Sequence, residues 1–483
     1  MAGSGQRYLE GIDDMISDAM KLMNVPGAAI VIVDNGEVVY QKAHGYADLE
    51  NKIPLTGDHY IPIGSSSKAF TATAAAMLVA DGALEFDKPI RDYIPWFELY
   101  DTFATKEATP RDLLCHRTGL PRHDILWLKW PELEREDLVR RLKHLQPNFS
   151  FRYKYQYNNL MFAALGYLIE RVSGKKWEDF VVERIFGPLG IENYSFLIPD
   201  PIPSDTYAKL YTPDENGQNK ANAPLQFEAM GPAGSINTPI GELAKWLKFN
   251  LEGGKAGGKG LLPAEIFAEL QRPNIPYELL PFPTSGNVEV GYAFGWLVDQ
   301  YRGHRKVAHG GNVEGGSADI SFLPDDGIGV AIQTNADGSL FPMAFTLALY
   351  DRFLGVERED DIFAYYDTSY KTAVGEMQGM FRAVLDTKIE GKPCSHDLGD
   401  YAGAYVNEGY GDIEVSLTDD GLKARLHGNV LDLEHLHYDT FTAELFKLIR
   451  PLNFHTAVTG DITSLDIALE PGVEPVIFAK KEK

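Results

Sequence analysis

The chain has 483 residues, 44% of them hydrophobic, enough for a large core and two or three domains. Its 69 acidic and 45 basic residues leave a formal charge of -24, which repels phosphate backbones and anionic membranes and argues against nucleic acid as a partner. Two cysteines far apart, Cys115 and Cys394, and no Cys-x-x-Cys or His-Glu-x-x-His pattern point to free thiols, no metal and no other cofactor.

The opening MAGSGQRYLEGIDDM holds no apolar run of signal-peptide length. No later segment holds about 18 uncharged apolar residues. The expectation is a cytoplasmic protein off the membrane, with an exported and trimmed form as the alternative. Residues 6–24 place Leu9, Ile12, Met15, Ile16, Met20, Leu22 and Met23 near helical spacing, and Val25-Pro26-Gly27 ends the helix. A hairpin follows, with Ala28 to Val33 as one strand, Asp34-Asn35-Gly36 as the turn and Val38 to Ala43 as the return. An uncharged helix is expected over 66–80, then helices alternating with loops to about 250. Gly253 to Gly260 reads as a flexible loop. It nearly spells a P-loop, but Gly260 stands where Ser or Thr is required, Pro263 follows and no strand leads in, so no nucleotide site is expected.

Strands return at 291–299, 306–312, 318–324 and 327–335, followed by a helix at 340–354. The fold class predicted for residues 1–355 is α+β, one antiparallel sheet flanked by helices. Residues 356–397 are charged and read as a linker with an amphipathic helix near 368–386. From 398 to 483 short strands and turns predict a small all-β barrel.

Chemistry concentrates in three places. In Ile63-Gly64-Ser65-Ser66-Ser67-Lys68, Ser65 and Lys68 share a helical face, so hydroxyl and amine can touch. A serine hydroxyl is a poor nucleophile at neutral pH, and a buried neutral amine can take its proton. The helix from Ala69 to Ala80 carries no charge, so it is buried and Lys68 must be desolvated or paired; the competing reading lets the amine snorkel to the surface from the helix end. Ser65 at a helix N-terminus would also favour a developing oxyanion. A second Ser-x-x-Lys, Ser173 to Lys176, reads as a solvated loop.

The second place is Tyr157-Asn158-Asn159, before an amphipathic helix; a phenol near a buried ammonium can have a lowered pKa and act as a base. Tyr-x-Asn recurs at Tyr405-Val406-Asn407, so alone it carries little. The third is His309-Gly310-Gly311 on a strand, where glycine marks close approach of a backbone or ligand and an edge N–H could serve an oxyanion. Other histidines take plainer readings: His116 as a turn residue satisfied by backbone, His435 and His437 on one face of a strand rather than on a metal. No Gly-x-Ser-x-Gly occurs, which disfavours an α/β-hydrolase.

The order Ser-x-x-Lys, Tyr-x-Asn, His-x-Gly resembles the signature of class C β-lactamases and related serine DD-peptidases and esterases, within the penicillin-binding-protein superfamily. The flanking text FTATAAAMLVADGALEFDKPIRDYIP, LLCHRTGLPRHD, GPAGSINTPIGELAKWL and HGGNVEGGSADISFLPDDG extends the resemblance over about 8–354. It implies an acyl-enzyme mechanism: Ser65 attacks a carbonyl, and Lys68 and Tyr157 share the proton traffic. The N–H groups of Ser65 and Asn312 would form the oxyanion hole, with Gly311 beside them on the substrate-binding strand. Asn159 would orient Lys68 or bind a substrate amide, and His309 would complete the catalytic set. His309 stands where β-lactamases usually have Lys-Thr-Gly, which points away from that activity and toward DD-peptidases and D-aminopeptidases. The segment 398–483 is similar to the lipocalin-like barrel of some members.

The expected function is hydrolysis of amide bonds in small peptides or D-amino-acid derivatives. A carboxylesterase or acyltransferase on a small metabolite is the alternative, and a degenerate binding scaffold the non-enzymatic one. The expected partner is a small-molecule or short-peptide substrate, with a homo-oligomer left open. Pocket walls are expected from loops at 120–150 and 270–290, through Trp127, Trp130, Tyr277 and Phe282.

Overall fold

The computed structural model describes residues 7–196, 206–214, 216–223, 227–277, 284–445 and 448–481. Phe282, one of the expected wall residues, lies outside them. Helix α1 (Ile12–Leu22) leads into strands β1 (Gly27–Asp34), β2 (Glu37–Asp48) and β3 (Ile53–Pro54). Five more strands arrive after the helical middle: β4 (Asn287–Tyr292), β5 (Leu297–Tyr301), β6 (His304–Val313), β7 (Gly316–Leu323) and β8 (Ile328–Thr334). They form one antiparallel sheet in the order β4-β5-β6-β7-β8-β1-β2-β3, so the first strand pairs with the last across the chain's length. The predicted α+β architecture is the observed one.

Strand β1 explains why the sheet needs helices on both faces. From Gly27 to Val33 its residues are apolar and buried, with no polar side to leave in water. Ala29, Val31 and Val33 face one core, shared with Trp246 and Leu247 of α4 (Ile240–Leu251). Ala28, Ile30 and Ile32 face another, shared with Ile12, Ile16 and Met20 of α1 and with Phe345 and Leu349 of α5 (Phe341–Phe353).

The helical middle holds α2 (Ser67–Ala80) and α3 (Asn159–Ser173). Every residue of α2 from Ser67 to Leu78 is buried, as the uncharged run after Lys68 requires. Phe70 stacks on Trp246 at 3.8 Å between ring centroids. Helix α3 meets the short turn Gly231–Gly234 at Gly166, where a Cβ would come 2.1 Å from Pro232 Cγ.

Three expectations need correction. The strand expected across 291–299 is broken after Tyr292 by a turn in which Ala293 N–H donates to Trp296 O (2.7 Å). Gly295 sits there at φ 72°, and a side chain on it would press within 2.9 Å of the Lys68 carbonyl. The glycine-rich loop is a tight hairpin of two-residue strands, Lys255–Ala256 and Lys259–Gly260, turned by Gly257 and Gly258 at positive φ. The return strand runs on to Asp48 because it gains β3 as a neighbour.

Helix α6 (Ile362–Arg382) starts earlier than periodicity suggested, because Ile362 and Tyr366 are buried beneath the sheet's α5 side. Nine strands then form a second antiparallel sheet: β9 (Gly403–Asn407), β10 (Gly411–Thr418), β11 (Gly421–Leu426), β12 (Asn429–Asp432), β13 (Glu434–His437), β14 (Thr440–Leu445), β15 (Leu448–Thr456), β16 (Ile462–Ile467) and β17 (Val476–Lys480). Their order is β12-β11-β10-β9-β17-β16-β15-β14-β13, so the two edge strands are consecutive in sequence and the barrel is nearly closed. Both cysteines are free thiols. Among the described residues no helix is long and apolar enough to cross a membrane.

The Gly166–Pro232 contact leaves no room for a methyl group. Gly166→Ala is expected to cost about 1–3 kcal/mol by overpacking, read as a lower urea midpoint with an unchanged slope.

Candidate active site

A single 3₁₀ turn, Gly64–Ser66, runs directly into α2, and three consecutive serines, Ser65 to Ser67, span the junction. Two of them are consumed by the fold. Ser66 is fully buried and donates to His309 O (2.7 Å), while Ser67 Oγ accepts from Ile236 N–H (3.2 Å). Ser65 alone remains partly accessible.

Lys68 is the most unusual side chain in the molecule, 0% exposed with no carboxylate in contact. Its Nζ lies 2.9 Å from Ser65 Oγ, 2.8 Å from Asn159 Oδ1 and 2.8 Å from Ala233 O. The rings of Tyr157 and Phe162 lie beside it, 4.8 and 5.5 Å from centroid to Nζ. Burial, reinforced by the charge of Arg122 and opposed by Asp124, holds its pKa well below the usual lysine value. A neutral amine has two N–H donors and one lone pair. Asn159 Oδ1 and Ala233 O can only accept, so in the neutral form they would take both donors and leave the lone pair toward Ser65.

Asn159 is itself oriented. Its Nδ2 donates to Asp124 Oδ1 (3.1 Å), which fixes Oδ1 toward Lys68. Asp124 is held by Trp127 Nε1 (3.0 Å) and Arg122 Nε (2.6 Å). Arg122 in turn lies over the Tyr157 ring at 5.3 Å. The expected lowering of the Tyr157 pKa is overturned. Burial pushes the phenol up to about 12, and its bond to Ser65 and the Arg122 charge offset this only in part. The phenol is therefore neutral at ordinary pH.

His309 is 4% exposed and sits beside Tyr157, 6.3 Å between ring centroids. Both of its nitrogens are committed within the protein. Asn158 N–H donates to His116 Nδ1 (3.1 Å), so His116 Nε2 carries the proton and donates to Tyr292 Oη (3.2 Å). Tyr292 then donates to His309 Nε2 (3.0 Å), and His309 Nδ1–H donates to Gly310 O (2.6 Å). Burial and the neighbouring Lys68 push His309 down to about 3. Its imidazole is thus a neutral prop between strand and loop. His116 adopts the left-handed backbone of a turn and is met by backbone as expected, but it also anchors this chain, a role the sequence reading did not foresee.

The third motif touches the first through backbone alone. A Cβ on Gly311 would come 1.8 Å from Ile63 O and 3.0 Å from Ser65 N; one on Gly64 would come 2.7 Å from Asn312 N. Strand β6 and the serine turn can meet only because both positions are glycine, which brings the amides of Ser65 and Asn312 to one place. Asn312 Oδ1 is tied back to Ser317 Oγ (2.8 Å) and Gly338 N–H (2.9 Å).

Trp127 rests against Phe227 with 6.0 Å between ring centroids, and Tyr277 is buried beside Tyr155. Trp130 stacks on His427 of the barrel at 4.0 Å. The second Ser-x-x-Lys is an exposed helix end, with Ser173 Oγ accepting from Lys175 N–H (3.2 Å). Tyr405 and Asn407 are barrel residues, bonded to Tyr401 O and to the amides of Gly409 and Tyr410. Sequence reasoning missed Ala233, Asp124, Arg122 and Tyr292. Only Arg122 and Asp124 carried a sequence signal, as polar residues inside the quoted stretch LLCHRTGLPRHD.

A family model described as beta-lactamase matches residues 12–351, and one described as a domain of unknown function (DUF3471) matches 387–480. Unguisins hydrolase ungD of Aspergillus violaceofuscus is 27% identical over 505 residues, covering 94% of this chain and 87% of its own length. A D-aminopeptidase of Brucella anthropi is 29% identical over 335 residues, 67% of this chain and 58% of that one. The structure of the octameric penicillin-binding protein homologue from Pyrococcus abyssi aligns with a TM-score of 0.64 at 22% identity, covering 98% of this chain and 100% of that one.

Three buried imidazoles, His116, His123 and His309, bind protons more weakly folded than unfolded; His123 is pushed down to about 4 and His309 to about 3 by burial first of all. A depressed folded-state pKa means the unfolded chain takes up protons first as pH falls below the ordinary 6.5. Stability should therefore fall as pH drops below about 6.5, by at most roughly 1.4 kcal/mol per pH unit for each such histidine, the His123 part ending near pH 4 and the His309 part near pH 3. Urea midpoints at pH 7.5 and 5.5 test this. Separately, Gly311→Ala should force β6 away from the serine turn and slow covalent labelling of Ser65 by about 10²-fold or more, measured with a fluorophosphonate.

Proposed function

We propose that this chain, which belongs to the beta-lactamase family, hydrolyses amide bonds of small peptides or D-amino-acid derivatives through an acyl-enzyme on Ser65. The observation that carries this reading is the fully buried amine of Lys68, whose Nζ lies 2.9 Å from Ser65 Oγ. In this reading Lys68 takes the hydroxyl proton as Oγ bonds to the substrate carbonyl carbon. The carbonyl oxygen becomes an oxyanion held by the N–H groups of Ser65 and Asn312. The proton passes through Lys68, or the neutral phenol of Tyr157, to the leaving nitrogen as the C–N bond breaks. Water then repeats the sequence on the ester, returning the proton to Ser65 Oγ. Asn159 holds the amine, Gly311 admits the strand, and His309 supports Tyr157 as a neutral group.

The preference for amides rests on His309-Gly310-Gly311 in place of Lys-Thr-Gly and on the similarity to a D-aminopeptidase. The functional unit is taken as a catalytic part over 1–355 and a barrel over 398–483, joined by 356–397. The octameric structural neighbour supports a homo-oligomer.

Ser65→Ala should abolish acylation, and Lys68→Ala should lower kcat/KM by about 10³-fold or more because base and positioning are lost together. In the wild type, kcat/KM should rise with pH through the lowered Lys68 pKa and then stay level, since Tyr157 does not ionise below about 12. Turnover of a panel of D- and L-aminoacyl amides and short peptides, set against p-nitrophenyl esters with and without acceptor alcohols, decides the substrate class. Good turnover of esters with none of any amide would sink the amidase reading in favour of an esterase or acyltransferase.

A further inference from the structure

The barrel reaches into the loop that orients the candidate amine. His123 is 1% exposed and adopts a left-handed backbone, φ 47° and ψ 34°, at the start of the 3₁₀ turn Asp124–Leu126. That conformation is costly for a residue with a Cβ and persists only where surroundings enforce it. Here the enforcing groups come from the barrel. Glu470, in the loop between β16 and β17, accepts from His123 N–H at 2.8 Å. His123 Nε2–H donates to Gln146 O (2.9 Å), so its Nδ1 is the acceptor for the Tyr410 hydroxyl at 2.7 Å. Tyr410 is 2% exposed and stands just before β10. The seam continues away from this point: Gly428 N–H donates to Lys129 O (2.8 Å), Trp130 stacks on His427, and Arg141 donates to Glu408 O and Gly409 O (both 3.0 Å).

The residue after His123 is Asp124, whose Oδ1 receives Asn159 Nδ2, and Asn159 Oδ1 receives Lys68. We propose that Glu470 and Tyr410 are positioning residues through which the C-terminal barrel sets the orientation of the Lys68 amine, by way of His123, Asp124 and Asn159. This rests on the reading of Ser65 and Lys68 as the acylating pair. If the barrel contacts are removed, His123 relaxes to an ordinary backbone conformation and Asp124 leaves Asn159. The Asn159 amide is then free to turn its N–H toward the lone pair of Lys68, where it competes with the Ser65 hydroxyl. The barrel is thus part of the acylation machinery although it places no side chain on the substrate carbonyl.

The test is the rate of Ser65 labelling by a fluorophosphonate in the full chain. Wild type, Glu470→Ala, Tyr410→Phe and Glu470→Gln are compared, each with Asn159 intact and with Asn159→Ala. Glu470→Ala and Tyr410→Phe should slow the saturating rate by about tenfold, with the half-saturating probe concentration within about twofold. Glu470→Gln should keep most of the rate, because its amide oxygen still accepts from His123 N–H. In the Asn159→Ala background the effects of Glu470→Ala and Tyr410→Phe should shrink to within about twofold, which general destabilisation would not produce. Wild-type rates in both single variants, or equal slowing in the two backgrounds, would overturn the proposal. Should Glu470→Ala not fold, Tyr410→Phe decides by the same two comparisons. Absence of labelling in the wild type would overturn the Ser65 reading and this proposal together; normal wild-type labelling with unaffected variants overturns this proposal alone.

Discussion

A lysine amine with no water and no carboxylate in contact is the constraint around which the rest of this molecule is arranged. Burying an ammonium is expensive, which holds the Lys68 pKa well below the usual lysine value, and a neutral amine is a base. The uncharged helix α2 supplies the burial. Helix α3 supplies Asn159, and the Gly231–Gly234 turn supplies the Ala233 carbonyl. The three must be packed together before the amine has only one direction left in which to use its lone pair. The contact of Gly166 with Pro232 fixes two of them, and the Gly295 turn presses on the backbone of Lys68 itself.

The same economy runs through the surrounding groups. Each polar side chain near Ser65 is paired so that its donor and acceptor ends are decided. Asp124 decides which way Asn159 faces. The amide of Asn158 decides the tautomer of His116, and through Tyr292 that of His309. A chain fixed in this manner holds neutral groups in one orientation, with the Arg122–Asp124 ion pair at its outer end. It stays legible only while the imidazoles remain unprotonated. The cost falls on stability at low pH, where the unfolded chain offers those imidazoles better proton binding.

Much of this was legible in residues with one physical option. The apolar run of β1, the helical face of α1 through Ile12, Ile16 and Met20, and the uncharged stretch from Ala69 to Leu78 each had to be buried, and they are. Ser-x-x-Lys put hydroxyl and amine one turn apart, and glycine in the third motif marked a backbone contact. The stacking of Trp130 on His427 was not legible, because His427 lies about 300 positions later in the chain and nothing local announces such a neighbour. Tyr157 failed as a lowered-pKa phenol because its pKa depends on how fully its surroundings exclude water, which is a property of packing rather than of spacing.

The sequence by itself determined the pieces and their local geometry: a sheet apolar on both faces, a hidden helix led by serine and lysine, a tyrosine-asparagine cap, a glycine-bearing strand and a run of short strands at the end. Tertiary structure alone decided which of three adjacent serines stays open, which oxygens take the lysine's protons, and that the barrel leans on His123. Those outcomes depend on contacts between residues far apart in the chain. Local periodicity carries no information about such contacts, because it reports only what one element hides and not what it hides against.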